Sequence, residues 1–333
     1  MDKRDLRIVF MGTPDFAVES LRVLVENGYF VAGVVTAPDK PVGRHGSMLH
    51  ASPVKKYALS QGLSVLQPEK LKDEAFLSAL RALKVDLQVV VAFRMLPAVV
   101  WDMPRYGTFN LHASLLPQYR GAAPINWAII HGEKETGVTT FFLTHEIDTG
   151  RIIRQRRLPI EETDNAGIIH DKLMVMGAAL VLETVDLLIA HEGCVETIPQ
   201  EKLYHDLSEL HAAPKLFQDA CRINWQQPAK VIDDFIRGLS PYPAAWTTLL
   251  MPDGTSQTLK IYESEIVSKT NTLPSGIILS DARTFLDIAV IDGYIRLLSV
   301  QLAGKKRMNI KDFLNGIKNL PERIIECLPS VNP

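Results

Sequence analysis

The sequence predicts an α/β chain in which a mostly parallel sheet, covered on both faces, is followed by a second, all-β unit. Near-continuous apolar runs alternate with helix-patterned segments through the first half, the pattern of strands buried on both faces. Beyond Pro214 the texture changes to short alternating runs separated by turn signals such as Pro252-Asp253-Gly254 and Asp292-Gly293. The length, 333 residues, exceeds what one hydrophobic core usually serves, so two domains are expected.

Leu6 to Met11 is a short apolar run, after which Thr13 and Pro14 supply a helix cap and a first-turn proline ahead of Phe16, Val18, Leu21 and Val25. Tyr29 to Thr36 repeats the strand signal, Asp86 to Phe93 is a third apolar run and Gly107 to His112 a fourth. Between Ala37 and Pro53 periodicity stops, and Pro, Gly, Ser and basic residues predict a long loop, either functional or merely an insertion. Thr136 to Glu146 and Arg151 to Pro159 read as further strands, and Ala166 to His191 as one long amphipathic helix. The expected division is a first domain over 1–192, a polar linker over 193–214 and a second domain over 215–333. Strands are expected there at Trp246 to Met251, Leu259 to Glu263, Gly276 to Leu279, Phe285 to Ile291 and Tyr294 to Leu302, enough for a small barrel.

Composition excludes several classes. Apolar residues are 47% and charged residues 22% of the chain, ordinary values for a globular protein, and no run approaches the ~20 apolar residues of a membrane span. The N-terminal apolar stretch breaks at Gly12 and Pro14, which does not resemble a signal peptide. Cys194, Cys221 and Cys327 lie far apart and form no C-x-x-C pair, so neither a disulfide framework nor a metal site is expected and a reducing compartment, the cytoplasm, fits. The net charge of −2 means that any nucleic-acid contact must be local. No heptad pattern suggests an oligomer, so a monomer is expected.

The Gly12-Thr13-Pro14-Asp15-Phe16 turn lacks the G-x-G-x-x-G spacing of a dinucleotide site. Asn110 and His112 are more suggestive. They end a strand of an open α/β sheet, where ligands bind, and the two-residue period puts them on one face. An amide beside an imidazole can donate hydrogen bonds to an oxygen that becomes negative when a carbonyl is attacked, although such a pair, alone, is more often structural. Asp148, before Thr149-Gly150, is ordinary turn chemistry taken alone. Near His112 its carboxylate would orient the imidazole or take a proton from an attacking amine. Ser114 to Ile125 reads as a loop ending in a helix with Pro124 in its first turn.

Together, in this order, these segments resemble the folate-dependent formyltransferases. The family's Asn, His and Asp trio falls on Asn110, His112 and Asp148. Its S-L-L-P loop, part of the folate site, falls on Ser114, Leu115, Leu116 and Pro117. The flanks, MGTPDFAV from Met11, VVTAPDKPVGR from Val34, SPVKKYA from Ser52, YRGAAPINWAI from Tyr119, TGVTTF from Thr136 and LAGKKRM from Leu302, look like the branch acting on methionyl-tRNA.

The resemblance implies a Rossmann-like formyltransferase domain, an OB-like C-terminal barrel, 10-formyl-tetrahydrofolate as formyl donor, no metal, and initiator methionyl-tRNA as acceptor. It implies tRNA contacts by Lys40 and Arg44, with His45 as a further candidate beside them. Lys215 and the triplet Lys305, Lys306 and Arg307 are further candidates, set against ordinary surface decoration. Two stretches depart from the family pattern: Phe93-Arg94 stands where Tyr-Gly is usual, in a loop one residue shorter that lines the pterin side in relatives, and Thr144-His145-Glu146 precedes Asp148. Folate chemistry on another amine acceptor, or a tRNA-binding relative without turnover, are the alternatives.

Overall fold

In the computed structural model, described for residues 3–42, 48–317, 320–321 and 323–324, the chain divides into two units. The first comprises 1–124, 135–159 and 170–213; the second comprises 125–134, 160–169 and 214–333.

The first half of the chain contributes β1 (Ile8–Gly12), α1 (Asp15–Glu26), β2 (Val31–Val35), β3 (Lys40–Val42), β4 (Met48–His50), α2 (Pro53–Ser60), β5 (Val65–Leu66), α3 (Glu74–Ala82), β6 (Leu87–Val91), α4 (Ala98–Trp101), β7 (Thr108–His112) and β8 (Arg120–Gly121). Next come α5 (Pro124–Ile130), β9 (Glu135–Phe142), β10 (Ile152–Pro159), α6 (Ala166–Ala190) and β11 (Ala212–Ala213). Seven strands form one sheet in the order β10-β9-β7-β6-β1-β2-β5. The five from β7 to β5 run parallel, β9 pairs antiparallel with β7, and β10 pairs antiparallel with β9. The chain moves outward from β1 in one direction and then, through β6 and β7, in the other. That reversal opens a crevice at the carboxyl ends of the strands, where β7 ends at His112.

Both faces of the sheet are covered, which explains why its strands read as continuous apolar runs. Every residue of β1 and β6 is buried. On one face Val9, Met11 and Val90 pack with Phe76, Leu77 and Leu80 of α3 and Val100 of α4. On the other, α6 lies so close to β7 that a Cβ on Gly177 would meet Leu111 Cδ2 at 2.6 Å. Leu173, Leu180, Val181, Val185 and Leu188 of α6 are buried. Among the described residues α6 is the one helix with the length and apolar content of a membrane span. Glu183 and Asp186 interrupt its apolar run, and the helix uses its apolar length to cover a sheet.

The segment read as an unpatterned loop after β2 contains paired strands at both ends. β3 and β4 pair antiparallel, with Lys40 opposite His50. Pro41 and the nearby glycines had hidden the alternation. The base of this hairpin is fixed by Asp39, which accepts from Lys55 Nζ at 2.6 Å and from Gln67 Nε2 at 2.8 Å.

The second unit adds α7 (Ala229–Leu239), β12 (Ala245–Leu250), β13 (Ser256–Val267), β14 (Ile278–Ser280), β15 (Leu286–Val290), β16 (Gly293–Leu302), β17 (Met308–Asn309), α8 (Ile310–Gly316) and β18 (Arg323–Ile324). Its sheet runs β14-β15-β16-β13-β12-β18, with β17 on β16. A bridge between Ile277 and Arg323, with the Ile324 N–H donating to Gly276 O at 2.9 Å, joins the two edges and closes the sheet on itself. Register shifts near Glu263 bend the long β13, as closure of a small barrel demands. Leu259, Ile261, Ile295 and Leu297 fill its core with Ile232, Ile236 and Leu239 of α7. The five expected strands are all present. Helix α7 had gone unread, although Ala229, Ile232, Ile236 and Leu239 carry the spacing of a helix face.

Candidate active site

Three side chains singled out in the sequence meet at the carboxyl end of β7. Phe109 and Leu111 point to one face of the strand and Thr108, Asn110 and His112 to the other. His112 is buried and Asn110 partly so. The Asn110 amide has no hydrogen-bond partner among the described residues, so its donors remain free for a ligand. His112 Nε2 lies 2.8 Å from the carbonyl oxygen of Tyr119. A carbonyl only accepts, so Nε2 carries the hydrogen and Nδ1 is the nitrogen left to face Asp148, whose Oδ2 is 3.8 Å away.

Asp148 occupies the turn after β9, with φ of +55°. Its Oδ2 accepts the backbone N–H of Gly121 at 2.9 Å. One short stretch therefore holds both partners: Tyr119 fixes the imidazole and, two residues on, Gly121 fixes the carboxylate. This stretch is itself pinned from the far side. Tyr119 N–H donates to His211 O at 2.7 Å, and β8 pairs with β11. A Cβ on Gly121, at φ +127°, would sit 2.5 Å from Ala213 O, so only glycine permits this approach. Residues 193–213, read from sequence as polar connector, pack with the first unit and clamp the loop after β7.

Ser114, Leu115, Leu116 and Pro117 lie beside His112 with their side chains turned inward. Ser114 Oγ donates to Gln118 O at 2.6 Å, Leu116 packs with Phe141 and Ile152, and Leu115 lies over Gly137. Their backbone is knit to β9 and β10 as well, since Thr139 Oγ1 donates to Ser114 O at 2.7 Å and Gln155 Nε2 to Leu116 O at 2.7 Å. This is a rigid wall, with few groups left to bind a ligand.

At the end of β6, where the sequence departs from the family, Arg94 donates to the carbonyls of Pro68 and, at 2.8 Å, Glu69. Its guanidinium lies 5.7 Å from the Phe93 ring centroid. The shortened loop is thereby tied to the segment after β5. His145, the other departure, packs edge-on against Trp101 with centroids 5.2 Å apart.

Lys40 is exposed on β3; Arg44 and His45 lie outside the described residues. In the second unit Lys305 and Lys306 are exposed at the turn before β17. Arg307 is engaged, stacked 4.4 Å from the Tyr262 centroid and bonded to Ser299 and Glu263. Lys215 Nζ lies 5.2 Å from the centroid of Phe217, a ring that is 64% exposed.

The pattern described as "Formyl transferase" matches residues 6–185, and "Formyl transferase, C-terminal domain" matches 215–318. A methionyl-tRNA formyltransferase of Parabacteroides distasonis is 67% identical over 97% of this chain and 99% of its own length. The chain belongs to the methionyl-tRNA formyltransferase family. A second member, from Phocaeicola vulgatus, is 63% identical over 98% of this chain and 100% of its own length. Among solved structures, the sugar 3N-formyl transferase WlaRD, determined in the presence of dTDP and 5-N-formyl-THF, superposes with a TM-score of 0.62 at 20% identity. It covers 90% of this chain and 99% of its own. HypX from Aquifex aeolicus in complex with tetrahydrofolic acid gives 0.62 at 19% identity, over 94% of this chain and 48% of its own. At such identities the likeness is one of fold. The members of the methionyl-tRNA formyltransferase family match this chain across both the sheet domain and the barrel.

Proposed function

We propose that the protein transfers the formyl group of 10-formyl-tetrahydrofolate to the α-amino group of methionine carried on initiator tRNA. The observation that supports the chemistry best is the convergence of Asn110, His112 and Asp148, with the Asn110 donors uncommitted and His112 Nδ1 facing the Asp148 carboxylate at 3.8 Å.

The amine nitrogen attacks the formyl carbon and forms the new C–N bond in a tetrahedral intermediate, whose collapse then breaks the bond to folate N10. Asn110 Nδ2 donates to the formyl oxygen as charge develops on it, and so does Nδ1–H of His112 in the doubly protonated ring, whose positive charge the Asp148 carboxylate sustains. Donors fixed before the reaction stabilise such charge without reorganising. Asp148 accepts the proton the amine loses and, now protonated, returns it to N10 as tetrahydrofolate leaves. Ser114 to Pro117 form the wall against which the donor lies, and the loop from Phe93 to Pro97 borders the pterin. The first domain, 1–192 with the segment that follows it, carries this chemistry. Residues 215–333 serve RNA binding through Lys215, Lys305, Lys306 and Arg307, joined by Lys40 of the hairpin and by Arg44. The protein acts as a monomer in the cytoplasm.

The test is transfer of labelled formyl from 10-formyl-tetrahydrofolate to methionyl initiator tRNA, beside methionyl elongator tRNA and the Asp148→Ala variant. Product on the initiator, lost in the variant, is expected. Folate binding without product on either tRNA would reject the proposed acceptor.

A further inference from the structure

Gln200 lies in the segment read as linker, yet it is 1% exposed. A primary amide offers two N–H donors and two lone pairs, and here all four are used. Nε2 donates to Asp148 O at 2.9 Å and to Gly150 O at 2.8 Å. Oε1 accepts from Arg120 Nε at 3.1 Å and from Arg120 Nη2 at 2.6 Å. The partners fix which way the amide faces, because carbonyls cannot donate and a guanidinium cannot accept.

One end of this amide grips the turn that carries Asp148. The other grips the residue between Tyr119, whose carbonyl holds His112 Nε2, and Gly121, whose N–H holds Asp148 Oδ2. We infer that Gln200 is a positioning residue for formyl transfer, the strut that fixes the Asp148 carboxylate against Nδ1 of His112. The inference rests on the roles proposed above for Asp148 and His112.

Two physical arguments support it. Asp148 at φ +55° sits in the left-handed region, which aspartate tolerates in turns but does not by itself prefer, and the two bonds from Nε2 to the carbonyls of Asp148 and Gly150 hold the turn in that conformation. The path from His112 through Tyr119, Arg120, Gln200 and Asp148 also closes back on His112. A displacement at Gln200 therefore alters the spacing of the two reacting side chains.

Gln200→Glu keeps an oxygen toward Arg120 but sets a carboxylate oxygen against two carbonyls, releasing the turn. Single-turnover and steady-state transfer are measured for the full chain, Gln200→Glu, Asp148→Ala and the double variant, with folded fraction checked by thermal unfolding. Gln200→Glu is expected to lower kcat on the order of 10- to 100-fold, the scale of a displacement near 1 Å at a reacting centre, with KM for both substrates within about twofold. In the Asp148→Ala background the same change is expected to cost less than about twofold, since residues acting as a unit are non-additive.

Wild-type kcat in Gln200→Glu beside a crippled Asp148→Ala overturns the inference alone. Equal losses in both backgrounds overturn it too, because they mark a general structural role. Asp148→Ala turning over at the wild-type rate overturns the reading of Asp148 on which the inference rests. Should Gln200→Glu fail to fold, Arg120→Met cuts the other end of the strut. Its expected kcat loss must likewise vanish in the Asp148→Ala background, and a loss that persists there overturns the inference.

Discussion

Asp148 is held by a backbone amide on its carboxylate and a glutamine on its carbonyl, whereas Lys40, Lys305 and Lys306 are exposed and have no side-chain partner among the described residues. The two regions face different demands. Charge that develops at one atom during a reaction is stabilised by groups whose positions are fixed beforehand. A flexible phosphate backbone is met well by long cationic side chains that keep their freedom until it arrives. Substitutions in the two regions should accordingly move different kinetic constants.

The largest effect is expected for His112→Ala, which removes the ring that Tyr119 and Asp148 flank. Turnover on saturating methionyl-tRNA should fall roughly 10²- to 10⁴-fold, the usual range for a positioned acid–base group, with little change in tRNA affinity. A variant that lost affinity and kept turnover would erase the distinction between the regions. Gly121→Ala comes next. With φ at +127° and Ala213 O only 2.5 Å from the added Cβ, the loop must shift, at a stability cost of about 1–3 kcal/mol. The N–H that holds Asp148 moves with it, so kcat should drop while the melting temperature falls; an unchanged kcat would show that the carboxylate needs no such anchor.

On the other side of the comparison, replacing Lys305 and Lys306 together by Ala should raise KM for tRNA a few-fold and leave kcat alone. The slope of log affinity against log salt should become shallower by about one for each phosphate that the variant no longer neutralises. An unchanged slope would remove these lysines from the RNA surface.

The smallest effect concerns stability. Burial pushes the Asp233 carboxyl up from its ordinary value, against the opposing influence of the Ser264 hydroxyl at 2.8 Å and of Arg237. A carboxyl raised in the folded state binds its proton more tightly there than when unfolded. Its contribution is therefore favourable at acid pH and lost as pH rises through the folded value. The melting-temperature difference, Asp233→Asn minus wild type, should be more positive at pH 7 than at pH 4, and the reverse order would contradict the burial argument.

The sequence revealed most where local pattern and final environment agree. Strands such as β1 and β6 are buried on both faces and so read as apolar runs, and Asn110 and His112 share a face because a strand's period is two. Gln200 was silent for the opposite reason. It sits in a polar stretch without periodicity, and its four bonds reach residues 50 to 80 positions away. The inward turn of Ser114 to Pro117 was equally hidden, since it depends on Thr139 and Gln155 in strands that come later in the chain.

The closure of the barrel has a consequence for synthesis. Among the described residues its last staves, Arg323 and Ile324, seal β12 on one side and Gly276 on the other. On the ribosome, β12 to β16 emerge with both rims of that sheet still open, and a chain truncated after Gly316 would keep them so. Unsealed rims are templates for pairing between molecules. Such a truncation should yield aggregates during expression even though the proposed catalytic trio, far upstream in sequence, is intact.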